Sequence, residues 1–195
     1  MYSLFIDTSY KYLTIVIDAN NKIIDSYSEE CFKKQSEMLF VVLDDMLKRN
    51  NINRTDIDSV YITDGPGSYT GVRISMTLAK VLCTTSNIKL FKISTLKLYS
   101  SRNKNALVIM DARAKRAYVG IYDEGKCILL DQVMPLENID PTNYNVYLDG
   151  SLINLKDTNI DIVSAYIKSK DLFEEVKDID HLTPKYLKES DSYYR

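Results

Sequence analysis

Leu4-Phe5-Ile6-Asp7-Thr8-Ser9 and Val108-Ile109-Met110-Asp111-Ala112-Arg113 share one pattern: an apolar run, an aspartate, then a turn. The match continues downstream of both. Tyr12-Leu13-Thr14-Ile15-Val16-Ile17 pairs with Ala117-Tyr118-Val119-Gly120-Ile121-Tyr122. The turn Asp18-Ala19-Asn20-Asn21 pairs with Asp123-Glu124-Gly125-Lys126, and Lys22-Ile23-Ile24-Asp25 with Cys127-Ile128-Leu129-Leu130-Asp131. β-Branched and aromatic runs broken by Asp/Asn turns are the signature of strands and hairpins. Each copy therefore reads as a three-stranded meander. Two copies about a hundred residues apart mean a duplicated subdomain and not a solenoid, which would need a short repeat used many times.

Between the meanders the periodicity becomes helical. Residues 35–50 form a helix in which Met38, Leu39, Val42, Leu43, Met46 and Leu47 cover about half of the circumference, and Phe40 and Val41 widen that arc. Two readings of the arc stay open. The helix is buried between layers of its own domain, or it carries a second face that meets a partner chain. The strand 57–63 runs into Asp64-Gly65-Pro66-Gly67-Ser68, and residues 71–83 are again helical, with a narrow polar side of Arg73, Thr77 and Lys80. The strand 88–93 is followed by a helix that Ser94 or Thr95 caps. Strand-strand-strand-helix-strand-helix, used twice, predicts an α/β fold of two tandem subdomains with mixed sheets. The division falls at the polar stretch 98–105, giving 1–98 and 99–195. The second copy is abbreviated: a strand ends at Tyr147-Leu148-Asp149-Gly150, another is expected at 160–163, and a short helix at 169–176.

Composition excludes much. The chain of 195 residues carries 45% hydrophobic and 27% charged residues, so whole-chain disorder is ruled out and a sizeable core is expected. A formal charge of −2 lacks the basic excess of a free-standing nucleic-acid binder, and the scattered lysines read as a solvated face. A single histidine, His181, cannot build a two-histidine zinc site, which removes the metallopeptidase patterns. His181 reads as a loop residue. Ser68 is no elbow nucleophile, because Pro66 and Thr70 stand where glycines are required. Cys31, Cys83 and Cys127 show no CxxC spacing, as suits reduced thiols, and the cytoplasm is the expected compartment. Residues 1–7 hold no basic leader region and no run approaches membrane-spanning length, so neither leader nor membrane anchor is expected.

A duplicated meander with an Asp-bearing turn after each first strand resembles the actin/hexokinase/Hsp70 superfamily, whose paired turns cradle ATP phosphates. More closely, Ile6-Asp7-Thr8-Ser9, the segment Asp64 to Ile74 (DGPGSYTGVRI), Ser94-Thr95-Leu96, Asp111-Ala112-Arg113 with Tyr118, and Leu182-Thr183-Pro184-Lys185-Tyr186-Leu187-Lys188 resemble the TsaB (YeaZ) family. The chain departs from that family at Gln35-Ser36, where members commonly have His before Ser. The resemblance implies two actin-like (ribonuclease H-like) subdomains. It also implies a non-catalytic subunit of the complex that forms threonylcarbamoyladenosine next to the anticodon of tRNAs, pairing with and activating a TsaD-like subunit through the first two helices. Through that subunit it would meet a TsaE-like ATPase and tRNA, and alone it would form a homodimer.

On those helices the expected pairing residues are Leu39, Val42, Leu43 and Met46, then Gly67, Gly71, Val72, Ser75, Met76 and Ala79. A charge at Leu43 or Met76 is expected to abolish pairing and spare the fold. Asp7, Thr8, Asp111 and Arg113 mark what would be a degenerate nucleotide cleft. Arg113 pairs there with Asp111 or Asp7, or holds a phosphate. No catalytic residue, metal or resident cofactor is assigned, ATP or ADP being the ligand that a working cleft of this kind takes. The alternative is an ATPase or small-molecule kinase of the same superfamily. The loop at residues 65–71 has three open readings: a tight turn for close helix approach, an anion contact, or a partner contact.

Overall fold

The fold is seen in a computed structural model, which describes residues 1–31 and 34–187. The first meander is formed by β1 (Tyr2–Asp7), β2 (Tyr12–Ala19) and β3 (Lys22–Glu30), paired antiparallel in turn. Helix α1 (Gln35–Arg49) leads to β4 (Ile57–Thr63), α2 (Tyr69–Thr84) and β5 (Lys89–Ile93). Strand β4 lies parallel to β1 and β5 parallel to β4. A parallel pairing needs a long crossover connection, most often through a helix, and α1 and α2 supply it here.

α3 (Thr95–Tyr99) opens the second copy, with Ser94 as its cap: the Ser94 hydroxyl accepts from the Lys97 N–H. The second meander is β6 (Ala106–Asp111), β7 (Arg116–Asp123) and β8 (Lys126–Pro135), and β9 (Asn145–Leu148) lies parallel to β6 as β4 does to β1. Finally come α4 (Ile162–Ser169) and the two-residue strand β10 (Glu174–Glu175), which pairs antiparallel with β5. The sheets run β10-β5-β4-β1-β2-β3 and β8-β7-β6-β9. The shared order, third-second-first-fourth strand of each copy, is the duplication expressed as topology.

Three expectations change. Residues 160–163 begin a helix and not a strand, because the Asp161 carboxylate accepts from the Ser164 N–H and hydroxyl and caps it. Residues 169–176 hold the end of α4, a single 3₁₀ turn and β10 instead of one helix. The division falls elsewhere too. Among the described residues, one unit is drawn from 1–64, 68–93 and 173–184, the other from 65–67, 94–172 and 185–187. α3 packs on β6, β7 and α4, which carries residues 94–98 out of the first unit, while β10 carries the chain back to it.

In the first unit α1 lies over β2 and β3, and α2 over β1, β4 and β5. Leu4, Ile6, Leu13, Ile15, Val60 and Ile62 meet them from the sheet. On the opposite face Phe173 sits edge-on to Phe5 and Tyr61, and Tyr61 stacks on Phe91 at 4.7 Å between ring centres. In the second unit Leu107, Ile109, Ala117 and Val119 pack with Ile139 and the partly buried Val146 and Leu152.

Candidate functional site: a groove between the first two helices

α1 and α2 lie on one face of the first sheet and meet there, and sequence spacing decides what each points inward. On α1 the buried positions are Gln35, Leu39, Leu43 and Met46. On α2 they are Gly71, Val72, Ser75, Met76, Leu78, Ala79, Leu82 and Cys83. Eight of the ten expected pairing residues therefore lie in the chain's own core: Leu39, Leu43, Met46, Gly71, Val72, Ser75, Met76 and Ala79. Val42 and Gly67 are half-buried. The eight lie inside because the sheet takes the most continuous apolar stripe of each helix first. A charge at Leu43 or Met76 would then disturb folding before any pairing.

The apolar surplus emerges one residue round the wheel. Phe40 is 60% exposed, Val41 69%, Val81 51% and Tyr69 44%, values at which a large apolar side chain stands in water. Tyr69, Arg73, Thr77 and Val81 recur every four residues and so form one ridge of α2. With Phe40 of α1 and the half-buried Ile74 they line a groove of about 450 Å³. Arg73 and Thr77, read from sequence as the polar side of α2, are thus the wall of an apolar trough. Arg73 lies over the Tyr69 ring, 4.8 Å from its centre, and its guanidinium donates to the Tyr69 hydroxyl. Val81, apolar in the sequence of this helix, is left outside by the packing.

The N-terminus of α2 is tied to the first Asp-bearing turn. The Ser68 hydroxyl caps the helix by accepting from the Gly71 N–H, and the Ser68 N–H donates to the Ser9 carbonyl at 2.7 Å. Thr8 donates its hydroxyl to the Gly71 carbonyl at 2.6 Å. A Cβ at Gly71 would stand 1.9 Å from the Thr8 carbonyl oxygen, so glycine is required for that approach. Of the three readings of the loop, close helix approach has this direct support, although the element approached is the β1–β2 turn and not the first helix. Gln35 donates its amide to the Tyr10 carbonyl and fixes the start of α1 to the same turn.

The aspartates of the two turns differ. Asp7 is fully buried, and one of its oxygens accepts from the Ser9 N–H, the Ser9 hydroxyl and the Thr63 hydroxyl. Those donors, and that of Thr8, are spent inside the unit. This turn does not fit a phosphate through them. Asp111 is exposed. It accepts from the Arg113 N–H at 2.7 Å, and its own N–H donates to Asp149. Arg113, Ala114 and Lys115 all have positive φ, the left-handed conformation that side chains rarely take in succession. Asp64, at the end of β4, receives Lys92 of β5 at 2.9 Å. His181 is exposed beside Asp178.

A polar hub that sequence reading missed sits in the second unit. Asp131 is buried on β8 and accepts from Ser94, Tyr122 and Lys185. A Cβ at Gly120 would fall 2.8 Å from its carboxylate. Burial, and then the Asp131 charge, push the Tyr122 hydroxyl far above the ordinary tyrosine value.

The model of the family described as TsaD, tRNA N6-adenosine threonylcarbamoyltransferase, matches residues 21–151. The chain belongs to this family. It is 34% identical over 140 residues to the tRNA threonylcarbamoyladenosine biosynthesis protein TsaB of Bacillus subtilis, a stretch covering 70% of this chain and 61% of that protein. To the protein of the same name from Buchnera aphidicola subsp. Schizaphis graminum it is 30% identical over 132 residues, 65% of this chain and 62% of the relative. It thus spans about six-tenths of the length of these curated TsaB relatives. Among solved structures, YeaZ from Pseudomonas aeruginosa superposes with a TM-score of 0.78 at 19% identity, covering 95% of this chain and 99% of that one. At that identity the likeness establishes the fold alone, an α/β chain with two mixed sheets.

Proposed function

We propose that this TsaB-family chain is a non-catalytic subunit of the cytoplasmic machinery that forms threonylcarbamoyladenosine next to the anticodon of tRNAs. It works by docking a TsaD-like subunit through the α1–α2 groove, and through that subunit it joins a TsaE-like ATPase and tRNA. The observation that carries the reading is the groove itself, where Phe40, Tyr69 and Val81 stand in water on two helices whose inner faces are already satisfied. An apolar patch rimmed by polar groups is the surface of a binding partner. The names of the Bacillus and Buchnera relatives support the pathway. The internal use of Asp7 and Thr8 supports a supporting role over catalysis at that turn. Alone, the same face pairs two copies into a homodimer.

Size-exclusion chromatography with light scattering tests this, on the protein alone and mixed with the TsaD-family subunit of the same organism. A homodimer that exchanges into a one-to-one complex is expected. A monomer indifferent to that subunit overturns the reading.

A further inference from the structure

We infer that Arg73 is the specificity anchor of the groove, and that the partner helix seated there carries a carboxylate facing its guanidinium. This rests on the reading of α1–α2 as the docking face and adds the chemistry of what docks.

Arg73 is the charged residue of the groove wall, among apolar and hydroxyl-bearing neighbours. No salt bridge joins it to a carboxylate among the described residues. By contrast Lys48 and Arg49, at the far end of α1, are matched by Asp44, and by Asp25 and Asp45. In the free protein water solvates the unmatched guanidinium. An apolar helix laid over the trough would strip that water and leave the charge unpaired, which opposes binding unless the newcomer supplies an acid. A guanidinium is suited to hold such an acid through two parallel hydrogen bonds. Tyr69 already restrains it by stacking and by accepting its hydrogen bond, so less side-chain freedom remains to be lost on docking. An arginine centred in an apolar ring is the composition of an interface hot spot.

The same geometry sets the hierarchy between self-pairing and the cognate partner. In a two-fold homodimer built on this groove neither Arg73 meets a carboxylate of the groove wall, because none lines it. Arg73 therefore disfavours the homodimer and favours a partner bearing the acid.

The test measures dissociation constants of the TsaD-family heterodimer and of the homodimer for wild type, R73K, R73L, R73E and V81E. Circular dichroism confirms that each variant is folded. Expected are a loss of about 100-fold in heterodimer affinity for R73E, about 30-fold for R73L and about 10-fold for R73K, whose charge remains but whose fork is gone. The R73L homodimer is expected to be as tight as wild type or tighter. One Asp or Glu to Arg exchange on the partner's interface helices should restore binding to R73E. If R73L and R73E bind the partner within about three-fold of wild type while V81E does not bind, the groove is the docking face and Arg73 is not its anchor, which overturns this inference alone. If V81E also binds unchanged, the docking reading itself fails.

Discussion

The Thr8 hydroxyl donates to the Gly71 carbonyl at 2.6 Å, and the Thr8 carbonyl oxygen lies 1.9 Å from where a Gly71 Cβ would stand. These two contacts, across 63 positions of sequence, lock the first turn of α2 onto the β1–β2 turn. The obstructing atom is backbone and cannot rotate away. Gly71→Ala should therefore cost about 3 kcal/mol in urea unfolding, at the upper end of overpacking costs.

The groove and the core beneath it respond differently to charge. Leu43→Asp places a carboxylate in the buried stripe of α1 and should destabilise by at least about 3 kcal/mol, from lost burial and an unpaired charge. Phe40→Glu, one turn away on the exposed arc, should leave the thermal midpoint within about 2 °C of wild type, as surface substitutions do. Scanning calorimetry on both variants, with light scattering on the second, separates folding from assembly.

The Asp131 hub predicts an alkaline limb. The Tyr122 hydroxyl is raised above its ordinary value of 10.0 by burial, and then by the Asp131 charge. Its contribution to stability is complete below pH 10 and declines above it, as the unfolded tyrosine ionises and the folded one does not. Tyr122→Phe should cost about 1.5–3 kcal/mol at pH 7, the range for a hydrogen bond to a charged group, and should flatten the fall in stability above pH 10. An unchanged alkaline slope in urea titrations would count against this account of the hub.

Asp25 predicts an acid limb of the opposite sign. The Arg49 hydrogen bonds, at 2.7 and 2.8 Å, are the main cause that holds its carboxyl below the ordinary value of 3.8, with Asn50 adding to them against burial. The stability it supplies is present above that value and is lost as pH falls through the lower folded-state value. The stability difference between wild type and Asp25→Asn should therefore be present at pH 7 and shrink below pH 3.8.

Thiol reactivity follows exposure. Cys127 is exposed whereas Cys31 and Cys83 are buried, and burial pushes the Cys83 thiol up to about 11. A disulfide reagent at pH 8 should titrate one thiol rapidly in the native protein and all three in denaturant. Cys127 should still react more slowly than free cysteine, because burial and then Asp131 raise it as well.

The limits of sequence reading show at particular residues. Ile160-Asp161-Ile162-Val163 looks like a strand by its β-branched content, yet Asp161 caps α4, and local propensity yields to a cap two side-chain hydrogen bonds strong. The Asp131 hub was invisible because its three donors come from positions 94, 122 and 185. The Asp7 contact with Thr63 spans 56 positions and carries no local signal.

Alternation, turn residues and the repeated aspartate landmarks determine two meanders, the helices after the first, and hence a duplicated α/β fold, because those signals are local. The motifs at 64–74 and 182–188 pointed to the TsaB family for the same reason. Tertiary structure alone decided which part of each helix remains outside. An arc covering half of α1 admits several orientations on a sheet, and only packing selects the one that buries Leu39, Leu43 and Met46 and leaves Phe40 and Val41 in water. That choice sets which apolar surface is left in water.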